Sequence, residues 1–125
     1  MSHSVLIVDD SMLLRRMIAE VLEESGWTIA SEATNGDEAV RKYKDLRPDV
    51  VTLDIVMPKV DGIHALEEII EFDPKAKIVI VSALNQSKLI SEAIRKGARD
   101  FIVKPFMPEQ LQETVSLCIE EPVLA

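Results

Sequence analysis

The chain has 125 residues, 47% hydrophobic and 29% charged, with a formal net charge of -8 and a pI near 4.7. That length fits one domain able to bury its own core, spanning residues 1–125, and the acidic balance argues against direct nucleic-acid binding and against anionic membrane surfaces. A single cysteine, Cys118, excludes an internal disulfide, and no apolar run suits a signal peptide or a membrane span, so a cytoplasmic, soluble protein without membrane insertion is expected.

Val5-Leu6-Ile7-Val8 is a short continuous apolar run stopped by Asp9-Asp10-Ser11, the pattern of a buried strand followed by a helix N-cap. Leu14, Met17, Ile18, Val21 and Leu22 then recur at helical spacing, with Gly26 as the stop. Trp27 to Ala33 mixes Ile29 and Ala33 with polar residues and predicts a partly exposed strand ending at Thr34-Asn35-Gly36. Ala39, Val40, Tyr43 and Leu46 stripe the next helix, which Pro48 ends.

Val50 to Leu53 reads as a strand covered on both faces, ending on a carboxylate, Asp54, ahead of a loop closed by Pro58 and Asp61-Gly62. Ile63, Leu66, Ile69 and Ile70 mark a third helix, stopped near Asp73-Pro74. Ile78 to Ala83 is a fourth strand, Ile90, Ala93 and Ile94 a fourth helix ending at Gly97, and Phe101 to Val103 a fifth strand closed by Lys104-Pro105. Pro108 opens a last helix whose inner face is Leu111, Val115, Cys118 and Ile119. Residues 120–125 read as a flexible tail.

Five strands alternating with five helices predict an α/β fold with a parallel sheet, because each right-handed crossover lays a helix on a face. Open sheets of this kind take ligands outside the carboxyl ends of their strands. Asp9 and Asp10 follow the first strand, Asp54 the third, Ser82 ends the fourth and Lys104 the fifth. If those strands are neighbours, three carboxylates, a hydroxyl and an ammonium converge. Two carboxylates about 4 Å apart repel by roughly 4 kcal/mol at an effective dielectric of about 20, so a cation is required, and Mg²⁺ is the usual one where phosphate is handled. With Mg²⁺ and Lys104 drawing off charge, one carboxylate can attack a phosphoryl group and hold it as an acyl phosphate, with Ser82 donating to its oxygens.

Each residue has a plainer reading alone. Asp9-Asp10-Ser11 reads as a helix cap, Asp54 as a strand-end turn residue, Ser82 as a structural hydroxyl and Lys104-Pro105 as a turn. The methionines suit packing or loop contacts, and His64 a surface position. Two rival chemistries lack their motifs: a haloacid-dehalogenase-type phosphatase places Asp-x-Asp after its first strand, where this chain has Asp9-Asp10-Ser11, and a flavodoxin-like electron carrier needs a hydroxyl- and glycine-rich phosphate loop there.

Val-Asp-Asp at 8 to 10, Leu-Asp-Ile-Val-Met-Pro with Asp-Gly at 53 to 62, Ser-Ala at 82 and 83, and Lys-Pro-Phe at 104 to 106 together resemble the receiver domains of two-component response regulators, most of all the single-domain chemotaxis type. The resemblance runs from Val5 to about Ile119. It implies a flavodoxin-like (βα)5 fold with strand order 2-1-3-4-5, and a signalling switch rather than an enzyme acting on other molecules. Asp54 would accept a phosphoryl group from a sensor histidine kinase. Asp10, Asp54 and the Val56 backbone carbonyl would bind Mg²⁺, Asp9 would hold a metal-bound water, and Lys104, ahead of a cis bond to Pro105, would pair with the phosphoryl group.

The resemblance also implies that Ser82 and Phe101 move on phosphorylation and repack the face of the fourth helix, fifth strand and fifth helix, where a target protein binds. Chemotaxis members that act on the motor carry threonine and tyrosine at these two positions, so any output that needs the tyrosine hydroxyl is absent here. Val56 and Leu84 occupy positions that tune phosphoryl lifetime, and two apolar side chains there predict a long-lived phosphorylated form. The alternative is a receiver cut from a longer regulator with a transcription-factor or enzyme output.

Overall fold

The computed structural model describes residues 3–57, 62–83 and 85–119. The expected tail, the Pro58–Asp61 loop and Leu84 lie outside the described residues. The chain alternates β1 (Ser4–Val8), α1 (Met12–Glu24), β2 (Thr28–Ala33), α2 (Gly36–Leu46), β3 (Val50–Leu53), α3 (Gly62–Phe72), β4 (Ile78–Ala83), α4 (Ser87–Arg95), β5 (Asp100–Lys104) and α5 (Pro108–Ile119). All strand pairs are parallel, in the order β2-β1-β3-β4-β5, so the expected doubly wound sheet is present.

Alternation along each strand sorts its side chains onto two faces, and both are dry. Leu6, Val8, Val51, Leu53, Ile78 and Ile80 pack beneath α2, α3 and α4, against Val40, Tyr43, Leu66, Ile69 and Ile90. Val5, Ile7, Val50, Val79 and Ile102 pack on the other face beneath α1 and α5, against Ile18, Leu22, Leu111, Val115 and Cys118. Double coverage explains why β1, β3 and β4 are apolar with little polar interruption, whereas β2, at the edge, is only partly buried. One buried side-chain polar atom is unmatched among the described residues: Oγ1 of Thr52, in the central strand.

Local signals act where the sequence puts them. Ser11 caps α1 by accepting from Leu14 N–H at 3.2 Å, and Asn35 caps α2 by accepting from Glu38 N–H at 2.9 Å. Pro48 stops α2, and Arg47 before it leaves the helix in the left-handed region, at φ 47°.

The structure narrows the apolar stripes. Of the residues expected to face the core of α1, Ile18 and Leu22 are buried, but Met17 is exposed; Leu46 of α2 and Ile94 of α4 are exposed as well. A helix buries only the stripe that faces the sheet, so apolar positions at the margins of that stripe stay open to solvent. Trp27 is buried, but as a connector whose N–H donates to the Leu22 carbonyl, and β2 starts one residue later. Met57 packs in the core, while Met12 and Met107 are surface residues; His64 is exposed on α3, as expected.

Candidate functional site

The sheet delivers Asp9, Asp10, Asp54 and Lys104 to its carboxyl-terminal edge, because parallel strands end on the same side. β1 pairs with β3 in the register Val8 to Leu53, so the residues that follow, Asp9 and Asp54, leave the sheet side by side. The Asp54 N–H donates to the Val8 carbonyl at 3.0 Å, carrying the ladder one step past the strand. One oxygen from each of Asp9, Asp10 and Asp54 lies within 4.8 Å of the others. Asp9 and Asp54 are buried, whereas Asp10 is exposed.

Lys104 closes the cluster from β5. Its Nζ stands 3.0 Å from Asp9 Oδ2 and 3.5 Å from Asp54 Oδ2, and the Lys104–Pro105 peptide bond is cis. Burial holds the Asp54 carboxyl above the ordinary carboxylate range; the Val56 N–H and the Lys104 ammonium pull the other way, and the Asp9 charge adds to the rise. The Val56 N–H donates to Asp54 Oδ1 at 3.1 Å, fixing the carboxylate against its own loop, and the Val56 side chain is exposed beside it.

Asp9 is tied at every polar atom. Its N–H donates to the Ala33 carbonyl, Oδ1 accepts from Ser11 N–H at 2.9 Å, Oδ2 meets Lys104, and its carbonyl accepts from Arg15 Nη1 at 2.7 Å. Arg15 is in turn held by Glu32 of β2, Nε to Oε1, at 2.8 Å. Gly62 of α3 lies so close to the backbone at Asp54 and Ile55 that a Cβ there would sit 2.3 Å from the Asp54 carbonyl oxygen and 2.4 Å from Ile55 Cα. Only a glycine fits, and its N–H donates to the Ile55 carbonyl at 3.1 Å.

Ser82, expected beside the charged groups, lies at the end of β4, the strand between β3 and β5. It is fully buried, and its hydroxyl is hydrogen-bonded to Gln86 Oε1. Phe101 lies exposed on β5, lining a groove with Ile90 and Ile94 of α4. Sequence reasoning overlooked Arg15, Glu32 and Gln86, since each is an ordinary polar residue until the fold brings it to its partner. Gly62, by contrast, was visible as the end of the loop after Asp54.

A dense patch of oxygen donors beside one ammonium, at the strand ends of a parallel sheet, suits a hard divalent cation and an incoming anion. Comparison with known proteins agrees with this geometry. The model of the response regulator receiver domain matches residues 5–116. The chain belongs to the response regulator receiver family. Receivers of this family belong to two-component signalling, and the chain is similar over nearly its whole length to chemotaxis members. It is 50% identical to chemotaxis protein CheY of Thermotoga maritima over 116 residues, covering 93% of this chain and 97% of that protein. It is 47% identical to chemotaxis protein CheY of Bacillus subtilis, with the same coverage. Among solved structures, the CheX-CheY-BeF3-Mg complex from Borrelia burgdorferi matches with a TM-score of 0.87 and 41% identity, covering 94% of this chain and 90% of that one. No helix among the described residues is long and apolar enough to cross a membrane.

Proposed function

We propose that this receiver is a signalling switch in which Asp54 accepts a phosphoryl group from the phosphohistidine of a sensor histidine kinase. The observation that carries the reading is the placement of Asp54, half-neutralised by Lys104 and grouped with Asp9 and Asp10. An Asp54 oxygen attacks phosphorus, the phosphorus–nitrogen bond breaks, and the imidazole leaves with the electron pair. Lys104 moves its ammonium from the two carboxylates to the phosphoryl oxygens. Ser82 donates to another of those oxygens.

The donor set fits Mg²⁺, with Asp10, Asp54 and the Val56 carbonyl as ligands and Asp9 holding a bound water; the cation neutralises charge on the transferring group when bound. That a neighbour of 41% identity was crystallised with BeF3 and Mg supports this assignment. The output is protein contact on the face formed by α4, β5 and α5, where Phe101 repacks, in a chemotaxis pathway like those of its relatives. The switch is a single receiver spanning the chain, works in the cytoplasm, and needs neither nucleic acid nor membrane insertion.

Calorimetric titration of Mg²⁺ into wild type and Asp10→Asn tests the ligand set. One binding event in wild type, weakened at least tenfold in the variant, is expected. Equal affinities would remove Asp10 from the metal site.

A further inference from the structure

Ser82 can serve a phosphoryl group only if its proton is available, and in this structure the proton is already in use. Gln86, the residue immediately ahead of α4, turns its side chain back to β4. Its Oε1 accepts from the Ala83 N–H at 3.0 Å and from the Ser82 hydroxyl. A backbone N–H can only donate, so the Gln86 atom facing it is the carbonyl oxygen and not the amide nitrogen. Ser82 is therefore the donor in the second bond. A serine hydroxyl carries one proton, and while that proton lies on Gln86 it is withheld from any oxygen bound to Asp54.

We propose that Gln86 is a positioning residue that latches Ser82 in the resting state, so that phosphorylation exchanges a Ser82–Gln86 hydrogen bond for a Ser82–phosphoryl one. The inference rests on the roles proposed above for Asp54 and Ser82 and adds to them the group that competes for the hydroxyl. Both sides of the exchange keep Ser82 satisfied, which a fully buried hydroxyl requires. Gln86 loses one of its two donors and retains Ala83.

The exchange has a mechanical consequence. The Gln86 carbonyl accepts from the Ile90 N–H at 3.0 Å, so its backbone begins α4 while its side chain grips β4. α4 contributes Ile90 and Ile94 to the groove that Phe101 and Val103 line from β5. Releasing Ser82 removes one tie between that helix and the sheet. The state of Asp54 thereby gains a route to the groove through Ser82 and Gln86.

The test measures the affinity of beryllofluoride, a phosphoryl mimic, in the presence of Mg²⁺ by fluorine NMR. It is applied to wild type, Gln86→Ala, Gln86→Met, Ser82→Ala and the Ser82→Ala/Gln86→Ala pair. Loss of a competing hydrogen bond is expected to tighten binding about fivefold in Gln86→Ala and Gln86→Met, and Gln86→Met keeps the side-chain length should the shorter one disturb α4. In the Ser82→Ala background the change at Gln86 should have no effect, because the proton under competition is gone. Unchanged or weaker binding by both Gln86 variants overturns the latch, as does a gain that persists without Ser82. Failure of wild type itself to bind would instead overturn the phosphoacceptor reading on which the latch rests.

Discussion

Lys104 Nζ lies 3.0 Å from Asp9 Oδ2 across 95 residues of sequence, and 3.5 Å from Oδ2 of Asp54, which follows β3, two strands away in the sheet. One ammonium is shared by two buried carboxylates, with a third at the rim, so the cluster stays net negative. Replacing it by Lys104→Met leaves the acids uncompensated. Because Lys104 is one-fifth exposed, the expected loss is about 2 kcal/mol, below the range for fully buried pairs. Urea unfolding with and without Mg²⁺ checks this: the variant should be the less stable without the cation and recover much of the difference with it.

Val56 stands exposed next to the carboxylate that its own N–H holds. An apolar side chain there gives a hydrolytic water nothing to bond to. Val56→Asn should shorten the life of the phosphorylated form severalfold, on the order of 1 kcal/mol of barrier. Phosphate release after removal of the donor reads the effect. Equal decay in the two proteins would show that the position does not control water.

Gly62 packs against the backbone of Asp54 and Ile55 by the absence of a side chain. Gly62→Ala forces a Cβ against the Asp54 carbonyl and Ile55, and one of the two segments must shift. A stability loss of about 2 kcal/mol is expected, with slower phosphoryl uptake at Asp54. If the variant retains the wild-type denaturation midpoint, the loop accommodates the methyl group and the contact does not position Asp54.

Tyr43, the single tyrosine of the chain, donates its hydroxyl to Asp73 Oδ2 at 2.8 Å, joining α2 to the end of α3. Burial raises its pKa well above the ordinary 10, and the bond to Asp73 raises it further; the same bond holds the Asp73 carboxyl below its usual range. A raised folded pKa means that this stability is fully present below about pH 10 and is lost as pH rises beyond it. For Asp73 the sign reverses: stability is present above the ordinary carboxylate range and lost on acidification. Absorbance at the phenolate band should therefore stay flat through pH 10 to 11 in the folded protein and rise only as it unfolds. Ordinary titration near pH 10 without unfolding would contradict the burial.

The alternation of strands and helices, and the carboxylates at strand ends, were legible because the two-residue and 3.6-residue periods are local properties of sequence. Parallel pairing alone then carried Asp9, Asp10, Asp54 and Lys104 to one edge. What lay beyond the sequence were relationships with no period. Arg15 reads as one more polar residue of α1 until β2 brings Glu32 to it, and Gln86 reads as a loop residue until its side chain folds back on Ser82. The exposure of Met17, Leu46 and Ile94 was hidden for the same reason: a helix stripe states which residues are apolar, and only the width of the actual contact states which are covered.

The most direct test of the central claim is intact-protein mass after incubation with acetyl phosphate and Mg²⁺, for wild type and Asp54→Ala. A single phosphoryl addition to wild type that disappears without Mg²⁺ and is absent from the variant is the predicted result. Addition to Asp54→Ala at the wild-type level, or no addition to wild type, would contradict the assignment of Asp54 as a phosphoacceptor.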